Sequence, residues 1–377
     1  MKTEQSLTLL GGLSPAAFMR RHWQKAPYLI RQAVPGVQAP VERSELLALA
    51  ARDDVESRLV QHAGAASAAG WRLRQGPFTR RQIPPWAQPG WTLLVQGLDL
   101  HVAAAQELLA LFRFVPEARL DDLMISYASD GGGVGPHLDS YDVFLLQVQG
   151  RRRWRVGPVA DTTLVEGLPV KILAHFEPTE EWLLEPGDML YVPPGWGHDG
   201  VAEGGDCMTC SIGFRAPGAA ELARDVLQRM VDALELPEAD RLYRDPAGSA
   251  TPHPGRVPEA LDTFARSAIE RLLKAPQSLA CALGEVLTEL KPLVWFEAGA
   301  GLVAGQALKL DRGTRMMYDE QHVFINGESF RAGGRDARLM RRLADDRSLP
   351  AQDAASLSDD AFSLVDEWAR NGWLHGH

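Results

Sequence analysis

The chain has 377 residues, of which 45% are hydrophobic and 23% charged, a composition typical of soluble globular proteins with two or three domains. It has no uncharged apolar run long enough to span a membrane and no apolar core of a signal peptide, so we expect a cytoplasmic protein without a membrane segment. The net charge of −10 repels phosphates, which disfavours direct binding of naked nucleic acid and favours a basic protein as partner.

Residues 1–217 have the pattern of a β domain. A helical segment, PAAFMRRHW, comes first, and short runs rich in β-branched and aromatic residues follow, separated by Gly and Pro turns. The clearest runs are DDLMISYA, DVFLLQV, RRRWRV, DMLYV and CMTCSIGF. Many short strands with little helix predict a sandwich or a barrel.

Residues 218–290 change to a helical period. Apolar residues recur at spacings of three to five from Leu222 to Leu234, and again from Phe264 to Leu279 beyond a Pro-rich break. These apolar faces predict a helical module. They suit pairing between two subunits, and they suit packing on the β domain equally well.

Residues 291–377 alternate short strands and helices. MMYDEQHVFING predicts a strand followed by an Asn-Gly turn. ARLMRRLAD and SDDAFSLVDEWARNGWL predict two helices, the second capped by Ser358. This order resembles a winged-helix arrangement, and the mixed charges of its first helix favour an interaction or structural role over reading DNA.

Cys207 and Cys210 form a lone C-x-x-C inside a predicted strand. Strand alternation places the two thiols on opposite faces, which is a poor geometry for sharing a metal. We therefore expect two small core residues rather than a zinc or redox pair.

A candidate metal site lies in GGGVGPHLDSYDVF and, about sixty residues later, in EPGDMLYVPPGWGHDG. His137 and Asp139 are two residues apart, so on an extended segment their side chains point to the same face. His198 follows a predicted strand and a tight Pro-Gly loop, which suits a third ligand from a neighbouring strand. Two imidazoles and a carboxylate on one face leave three coordination positions open, as Fe(II) oxygenases require.

Other interpretations of these residues are weaker. Zinc prefers a closed four-coordinate site or an H-E-x-x-H helix, which the chain lacks. An isolated H-x-D is often a surface pair, but this one follows a Gly-rich loop and precedes P-G-D and P-P-G-x-x-H. The loop, residues 131–135, has no Lys-Ser/Thr for phosphate binding, so we interpret it as backbone that bends closely past the metal.

One arginine shares a strand face with apolar residues. FLLQV and RRRWRV predict two strands joined by a Gln-Gly turn, and in the second strand Arg152, Trp154 and Val156 face one side. A buried guanidinium requires an anion, and its planar fork matches a carboxylate. That anion is either a protein carboxylate in a structural salt bridge or the distal carboxylate of bound 2-oxoglutarate. Strand parity alone does not choose between them.

Two further polar residues leave similar alternatives open. Ser126 shares a face with Met124 and Ala128, and its hydroxyl either faces a ligand or bonds to the backbone. Asp130, just before the Gly-rich loop, either holds a cationic substrate or serves as a turn residue.

These segments carry a family likeness. The matching pieces are FMRRHWQKAPYLIRQA, LDDLMISYASDGGGVGPHLDSYDVFLLQVQGRRRWRVG, EPGDMLYVPPGWGHDGVA and SIGFRAP. They resemble the JmjC-domain (cupin-4) 2-oxoglutarate oxygenases, and within them the bacterial ribosomal oxygenases that hydroxylate an arginine of a large-subunit ribosomal protein. The stretch from about Phe18 to Pro217 carries the resemblance.

The resemblance implies a fold that is mainly β plus α. Its parts are a double-stranded β-helix (jelly-roll) catalytic domain over 1–217, a helical dimerisation module over 218–290 and a winged-helix-like domain over 291–377. It also implies Fe(II), 2-oxoglutarate and O₂ as cofactors, and a homodimer. By motif position, the resemblance places the iron ligands on His137, Asp139 and His198. It places the arginine that binds 2-oxoglutarate on Arg152, and a further cosubstrate contact on Ser126.

The activity that the resemblance implies is hydroxylation of an arginine side chain on ribosomal protein number sixteen of the large subunit, a basic partner. The family also includes enzymes that modify histidines of other ribosomal proteins, so histidine hydroxylation is an alternative. Two further possibilities are a cupin metal enzyme that uses no 2-oxoglutarate and a degenerate cupin that acts only as a scaffold. An intact ligand triad argues against the scaffold.

Overall fold

The computed structural model describes residues 2–62, 70–233, 241–274 and 276–377. Two compact units divide the chain, one up to Ala216 and the other from Pro217. The finer division into three domains stays a prediction. Over the described ranges, each helix is too short or too polar to cross a membrane. Leu234, at the end of the first predicted helical repeat, lies outside the described residues.

The first unit is built on a large antiparallel sheet. Its strands, within the described ranges, are β1 (Tyr28–Ile30), β2 (Ser57–Gln61), β3 (Arg72–Gln75), β4 (Trp91–Val95), β5 (Leu120–Ala128), β6 (His137–Leu138), β7 (Val143–Pro158), β8 (Glu180–Leu184), β9 (Met189–Val192) and β10 (Trp196–Phe214). They pair in the order β1-β9-β7-β10-β5-β4-β2-β3, with β6 on β10 and β8 on β7. The α-helices of this unit are α1 (Pro15–Arg21), α2 (Arg43–Ala50), α3 (Leu98–His101) and α4 (Ala103–Ala110). The jelly-roll-like sheet confirms the predicted fold class.

Alternating side chains of the long strands serve two apolar cores. In β7, Phe144 and Leu146 belong to the larger core, which also holds the helix side chain of Phe18. Val143 and Leu145 point to the opposite face and join a smaller core. The smaller core continues along the same strand with Trp154 and Val156, on the face predicted to carry Arg152.

The two cysteines of the C-x-x-C are both fully buried, in different apolar clusters. Burial raises the pKa of the Cys210 thiol, which keeps it protonated. The Sγ of Cys207 accepts a hydrogen bond from the side-chain amide of Gln147 at 3.3 Å. The prediction of two small core residues is confirmed.

The predicted turn at Gln149-Gly150 does not reverse the chain, so the prediction of two strands joined by a turn was wrong. β7 runs on in one direction, and both of its halves pair with β10. Gly150 has a φ of 64°, and the pairing register slips beside Met208, so the strand bends as at a β-bulge. A side chain at Gly150 would lie 2.9 Å from the carbonyl oxygen of Asp206, so only glycine fits the bend.

The second unit combines helices with two small sheets. Its helices are α5 (Ala219–Asp232), α6 (Glu259–Lys274), α7 (Pro276–Thr288), α8 (Gly334–Asp346), α9 (Ala351–Ala354) and α10 (Asp359–Arg370). Its strands are β11 (Leu308–Leu310), β12 (Met316–Tyr318), β13 (His322–Ile325), β14 (Glu328–Arg331), β15 (Ser348–Leu349) and β16 (Leu374–Gly376). The described strands form the sheets β15-β11-β16 and β12-β13-β14.

Two local signals in the second unit act as predicted, but the single strand predicted over MMYDEQHVFING was wrong, because this segment forms the antiparallel pair β12 and β13. Asn326 and Gly327 join β13 to β14 with φ of 49° and 86°, the left-handed values of a tight hairpin turn. The Ser358 hydroxyl accepts a hydrogen bond from the Ala361 amide at 3.3 Å and caps α10. Leu343 and other side chains of α8 pack against α10 in one apolar core, which agrees with the predicted winged helix.

The helices α5 and α6 keep apolar side chains at the surface. Val226 and Met230 of α5 are buried against Ala282, but Val231 on the same helix is 58% exposed. No residue of α6 is buried within the described part of the chain, and its Ile269 is 57% exposed. Single exposed hydrophobic residues are common on protein surfaces, but several on the same helices indicate an interaction surface.

Candidate metal centre

His137, Asp139 and His198 come together at one point. β6 pairs with the start of β10 so that His137 lies directly opposite His198, and Asp139 follows two residues after His137. The Oδ2 atom of Asp139 is 3.5 Å from Nε2 of His198 and 4.0 Å from Nε2 of His137. No other group of three His, Cys, Asp or Glu side chains with such spacing occurs among the described residues. The three side chains predicted to converge do lie together, and their role as metal ligands stays a prediction.

The hydrogen bonds of the two imidazoles fix their tautomers. Nδ1 of His137 lies 2.9 Å from the Gly135 carbonyl oxygen, and Nδ1 of His198 lies 3.4 Å from that of Trp196. A carbonyl oxygen only accepts, so each Nδ1 carries the proton and each Nε2 keeps its lone pair for a metal.

Charge and burial suit a cation at this point. Burial, and then the neighbouring His137, hold the pKa of His198 well below its usual range, so this imidazole is neutral near pH 7. Burial raises the pKa of Asp139. A bound cation would favour the ionised carboxylate and reverse that shift.

The ligand spacing fits an open octahedral site. Ligand atoms about 2.1 Å from one ion and at right angles to each other are about 3.0 Å apart. The Asp139 carboxylate is 3.5 and 4.0 Å from the two imidazole nitrogens, and the three ligand atoms all lie within 4.8 Å of one another. Two imidazoles and one carboxylate on one face can hold a metal ion and leave the opposite positions open.

The Gly-rich loop lets backbone segments approach one another beside the site. A side chain at Gly133 would lie 2.6 Å from the carbonyl oxygen of Gly200, two residues after His198. At Gly132 it would lie 2.4 Å from the carbonyl oxygen of Trp91. The close backbone approach predicted for this loop is therefore present, and glycine is required for it.

Arg152 is buried on the same strand face as the metal-site histidine. It pairs with Ala202 across β10, four residues along from His198, and its side chain is 5% exposed. In the part of the chain that the structure describes, its Nε and Nη2 atoms have no hydrogen-bond acceptor and no carboxylate forms an ion pair with it. A structural salt bridge is therefore not observed. An exogenous anion suits the two orphaned donors.

Ser126 belongs to a buried polar row across three strands. Ser126, Thr209 and Gln147 lie opposite one another on β5, β10 and β7. The Ser126 hydroxyl donates to the Thr209 carbonyl at 3.4 Å, and the Thr209 hydroxyl donates to the Gln147 side chain at 2.9 Å. The structure thus shows the backbone bond for Ser126, while a contact of its hydroxyl with the cosubstrate stays a prediction. Asp130 lies in a turn, and it accepts a long-range hydrogen bond from the Gly204 amide at 2.8 Å.

Two residues beside the triad were missed by the sequence analysis. Tyr141 lies close enough to Asp139 to lower the pKa of that carboxyl, and burial raises the pKa of the Tyr141 hydroxyl. Asp122, 9% exposed, is held by the Gly97 amide at 2.9 Å. Added to Gly213, a Cβ would lie 3.6 Å from Oδ1 of Asp122 and 4.0 Å from Cε2 of Tyr141, so the two side chains flank one gap. The i+2 spacing of Tyr141 from Asp139 was a usable signal, whereas Asp122 offered none.

Comparison with known proteins adds to this geometry. The profile of the JmjC domain matches residues 107–222, and that of the ROXA-like winged helix matches residues 272–375. The chain is 34% identical to the ribosomal protein uL16 3-hydroxylase of Escherichia coli, over 92% of this chain and 93% of that protein. It is 30% identical to a probable ribosomal oxygenase of Haemophilus influenzae, over 96% of both chains.

Solved structures agree with these matches. The E. coli ribosomal oxygenase YcfD superposes with a TM-score of 0.83 at 30% identity, covering 97% of this chain and 98% of that chain. YcfD in complex with cobalt and 2-oxoglutarate superposes with a TM-score of 0.79 at 31% identity, with the same coverage. The resemblance identified from the sequence is confirmed.

Removing one ligand should abolish metal binding. We expect Asp139→Ala and His198→Ala each to lower the affinity for Co(II) by more than about 100-fold, because changes to residues that only support metal ligands already cost 10- to 100-fold. Calorimetric titration of the apoprotein measures this. The matched control is His253→Ala, an exposed histidine of the second unit, which should leave the affinity unchanged. Unaltered Co(II) binding in Asp139→Ala would show that the triad does not hold the metal.

Proposed function

Because the chain belongs to the JmjC-domain ribosomal oxygenases, we propose that it hydroxylates an arginine side chain of the large-subunit ribosomal protein uL16, in the cytoplasm. Fe(II), 2-oxoglutarate and O₂ are the cofactors of this family. The observation that carries the proposal is the buried, unpaired guanidinium of Arg152 on the strand face that also leads to His198.

The residues present fit these cofactors. His137, Asp139 and His198 would hold the iron, and Arg152 would bind the distal carboxylate of 2-oxoglutarate through its two orphaned donors. Ser126 would add a hydroxyl to the same cosubstrate from the buried polar row. When bound, the iron and its cosubstrates supply the oxidising chemistry that inserts one oxygen atom into a C–H bond.

The protein's own task is to hold geometry and exclude water. The Nδ1 hydrogen bonds to Gly135 and Trp196 orient the imidazoles. Trp154 packs 5.8 Å from the His198 ring and, on the same face, under the Arg152 guanidinium at 5.7 Å. This apolar wall keeps the iron side and the anion side of the site in one dry compartment.

A cationic target side chain suits the gap beside the triad. Asp122 and the ring of Tyr141 flank it, and the negative charge of Asp121 also helps to raise the pKa of Tyr141. A guanidinium can stack on the aromatic ring and donate to a carboxylate at the same time. The acidic net charge of the chain favours a basic ribosomal protein as partner. These features support arginine over histidine as the modified residue.

The anion role of Arg152 is testable by substitution. Arg152→Met should weaken 2-oxoglutarate binding by about 10- to 100-fold, since a hydrogen-bonded charge contributes about 1.5–3 kcal/mol. Calorimetry with the Co(II)-loaded protein measures this, and Co(II) affinity itself should not change. The matched control is Arg153→Met on the opposite face, whose guanidinium pairs with Glu181 and Glu203 at the surface. Equal 2-oxoglutarate affinity in both variants would favour a cupin enzyme that uses another substrate.

The target residue is testable by mass spectrometry of ribosomal proteins. Cells that express the chain should carry one added oxygen atom on an arginine of uL16, and cells that express Asp139→Ala should not. An added oxygen on a histidine of another ribosomal protein would contradict the arginine assignment and support the alternative. Identical ribosomes in both strains would leave the scaffold as the better explanation.

We also propose that the protein is a homodimer that pairs through α5 and α6. The supporting observation is the row of exposed apolar side chains on these helices, with Leu227 49% and Ile269 57% exposed. Apolar helical faces of this kind are typical of subunit interfaces.

The dimer proposal is tested by a charge in the apolar face. Ile269→Asp should convert a dimer to a monomer, because a carboxylate buried in an apolar interface loses its hydration. Multi-angle light scattering measures the mass. Val303→Asp is the matched control, since Val303 is 66% exposed in the segment between α7 and β11. A wild-type chain that is monomeric at micromolar concentration would disprove the proposal.

A further inference from the structure

The arginines and acids of this chain are separated along the sequence. Residues 57–98 contain five arginines and no aspartate or glutamate, so the other 34 lysines and arginines face all 49 acids. The net charge of −10 therefore hides a basic segment inside an acidic protein. A charge argument based on the whole chain does not apply to the surface that this segment forms.

Four of the five arginines lie at one edge of the large sheet. We call them the basic strip: Arg72, Arg74, Arg80 and Arg81. All four are exposed, and β3, which carries the first two, is the last strand in the pairing order. Arg72 and Arg74 share a face and are spaced by about 6.7 Å.

Contacts join the strand and the turn into one surface. The Arg74 guanidinium donates to the Gln82 carbonyl at 2.6 Å, which holds the turn carrying Arg80 and Arg81 against β3. Arg80 lies 4.8 Å from the ring of the half-buried Trp86. Arg72 and Arg81 have no ion pair or side-chain hydrogen bond within the described part of the chain.

The strand of the basic strip starts beside the loop that precedes His137. Trp71, the residue before Arg72, would lie 3.2 Å from a Cβ placed on Gly135. The carbonyl of Gly135 orients the imidazole of His137. The first arginine of the strip therefore follows one residue after a side chain that contacts this loop.

We propose that the basic strip binds the phosphate backbone of RNA next to the protein segment being modified. The inference rests on the proposed function, because a ribosomal protein has RNA as its neighbour. The basic substrate itself would be repelled by the strip, whereas guanidinium groups match phosphates in bidentate geometry. Exposed arginines beside aromatic rings are typical of RNA-binding surfaces.

A solubility role explains less of the pattern. Charged side chains on an edge strand discourage pairing with other chains. That role concerns β3 alone and does not require Arg80 and Arg81 in the following turn. It also does not require the absence of acids through residue 98. The strip therefore fits a polyanion better than a protective edge.

The test measures binding of the full chain to a fluorescein-labelled single-stranded RNA of twenty nucleotides by anisotropy. The test variant carries Arg72→Gln, Arg74→Gln and Arg81→Gln. The matched control carries Arg331→Gln, Arg335→Gln and Arg338→Gln, three exposed arginines of the second unit. The test variant should bind RNA at least tenfold more weakly than the wild type. The slope of log affinity against log salt concentration should also become shallower by about 2, because each lost phosphate contact removes about 0.7. The control should bind as the wild type does.

Three results would overturn the proposal. The first is the absence of salt-dependent RNA binding at low ionic strength. The second is an equal loss of RNA affinity in the control variant. The third is that polyglutamate binds as tightly as RNA and that the test variant loses affinity for both equally. The last result would assign the strip to an acidic protein. The RNA-binding measurement requires no turnover. Its result therefore stands even if the chain proves to have no hydroxylase activity. Hydroxylation of a short uL16 peptide by the test variant should be unchanged, which separates the strip from the catalytic site.

Discussion

A guanidinium buried without a protein counter-ion is the constraint on which the site depends. Removing such a charge from water costs several kcal/mol unless an anion joins it. β7 holds Arg152 in place because it is clamped between β8 and β10, with Trp154 and Val156 packed on the same face. The fold thus holds a buried charge without a partner for two of its donors, and an anion bound there would offset the cost of its desolvation.

The metal ligands depend on the same strand pairing. His198 starts β10, His137 is brought opposite it by β6, and Arg152 lies across β10 further along. The loop at Gly133 fits only because no side chain separates it from Gly200. His137, His198 and Arg152 are therefore positioned by strand registers, which is how a rigid site is held to a precise geometry.

The sequence predicted the parts of the site that follow from local periodicity. The i+2 spacing of His137 and Asp139, and the parity of Arg152 with Trp154, gave the correct faces because strand alternation is a local property. The Gly150 signal was misinterpreted because a positive φ marks both a hairpin and a bulge, and only pairing with β10 distinguishes them. Asp122 was missed because its place beside the triad depends on β5 pairing with β10, which no short sequence pattern encodes.

The central position of β10 links occupancy of the site to the lifetime of the protein. This strand pairs with β5, β6 and β7, so a ligand that binds only the native state would stabilise the pairing of all three. A ligand present at 100 times its dissociation constant stabilises the native state by about 2.7 kcal/mol. Proteases act on opened chains, so molecules without a bound ligand would be degraded faster than loaded ones. Cellular abundance of the protein would then follow the supply of that ligand.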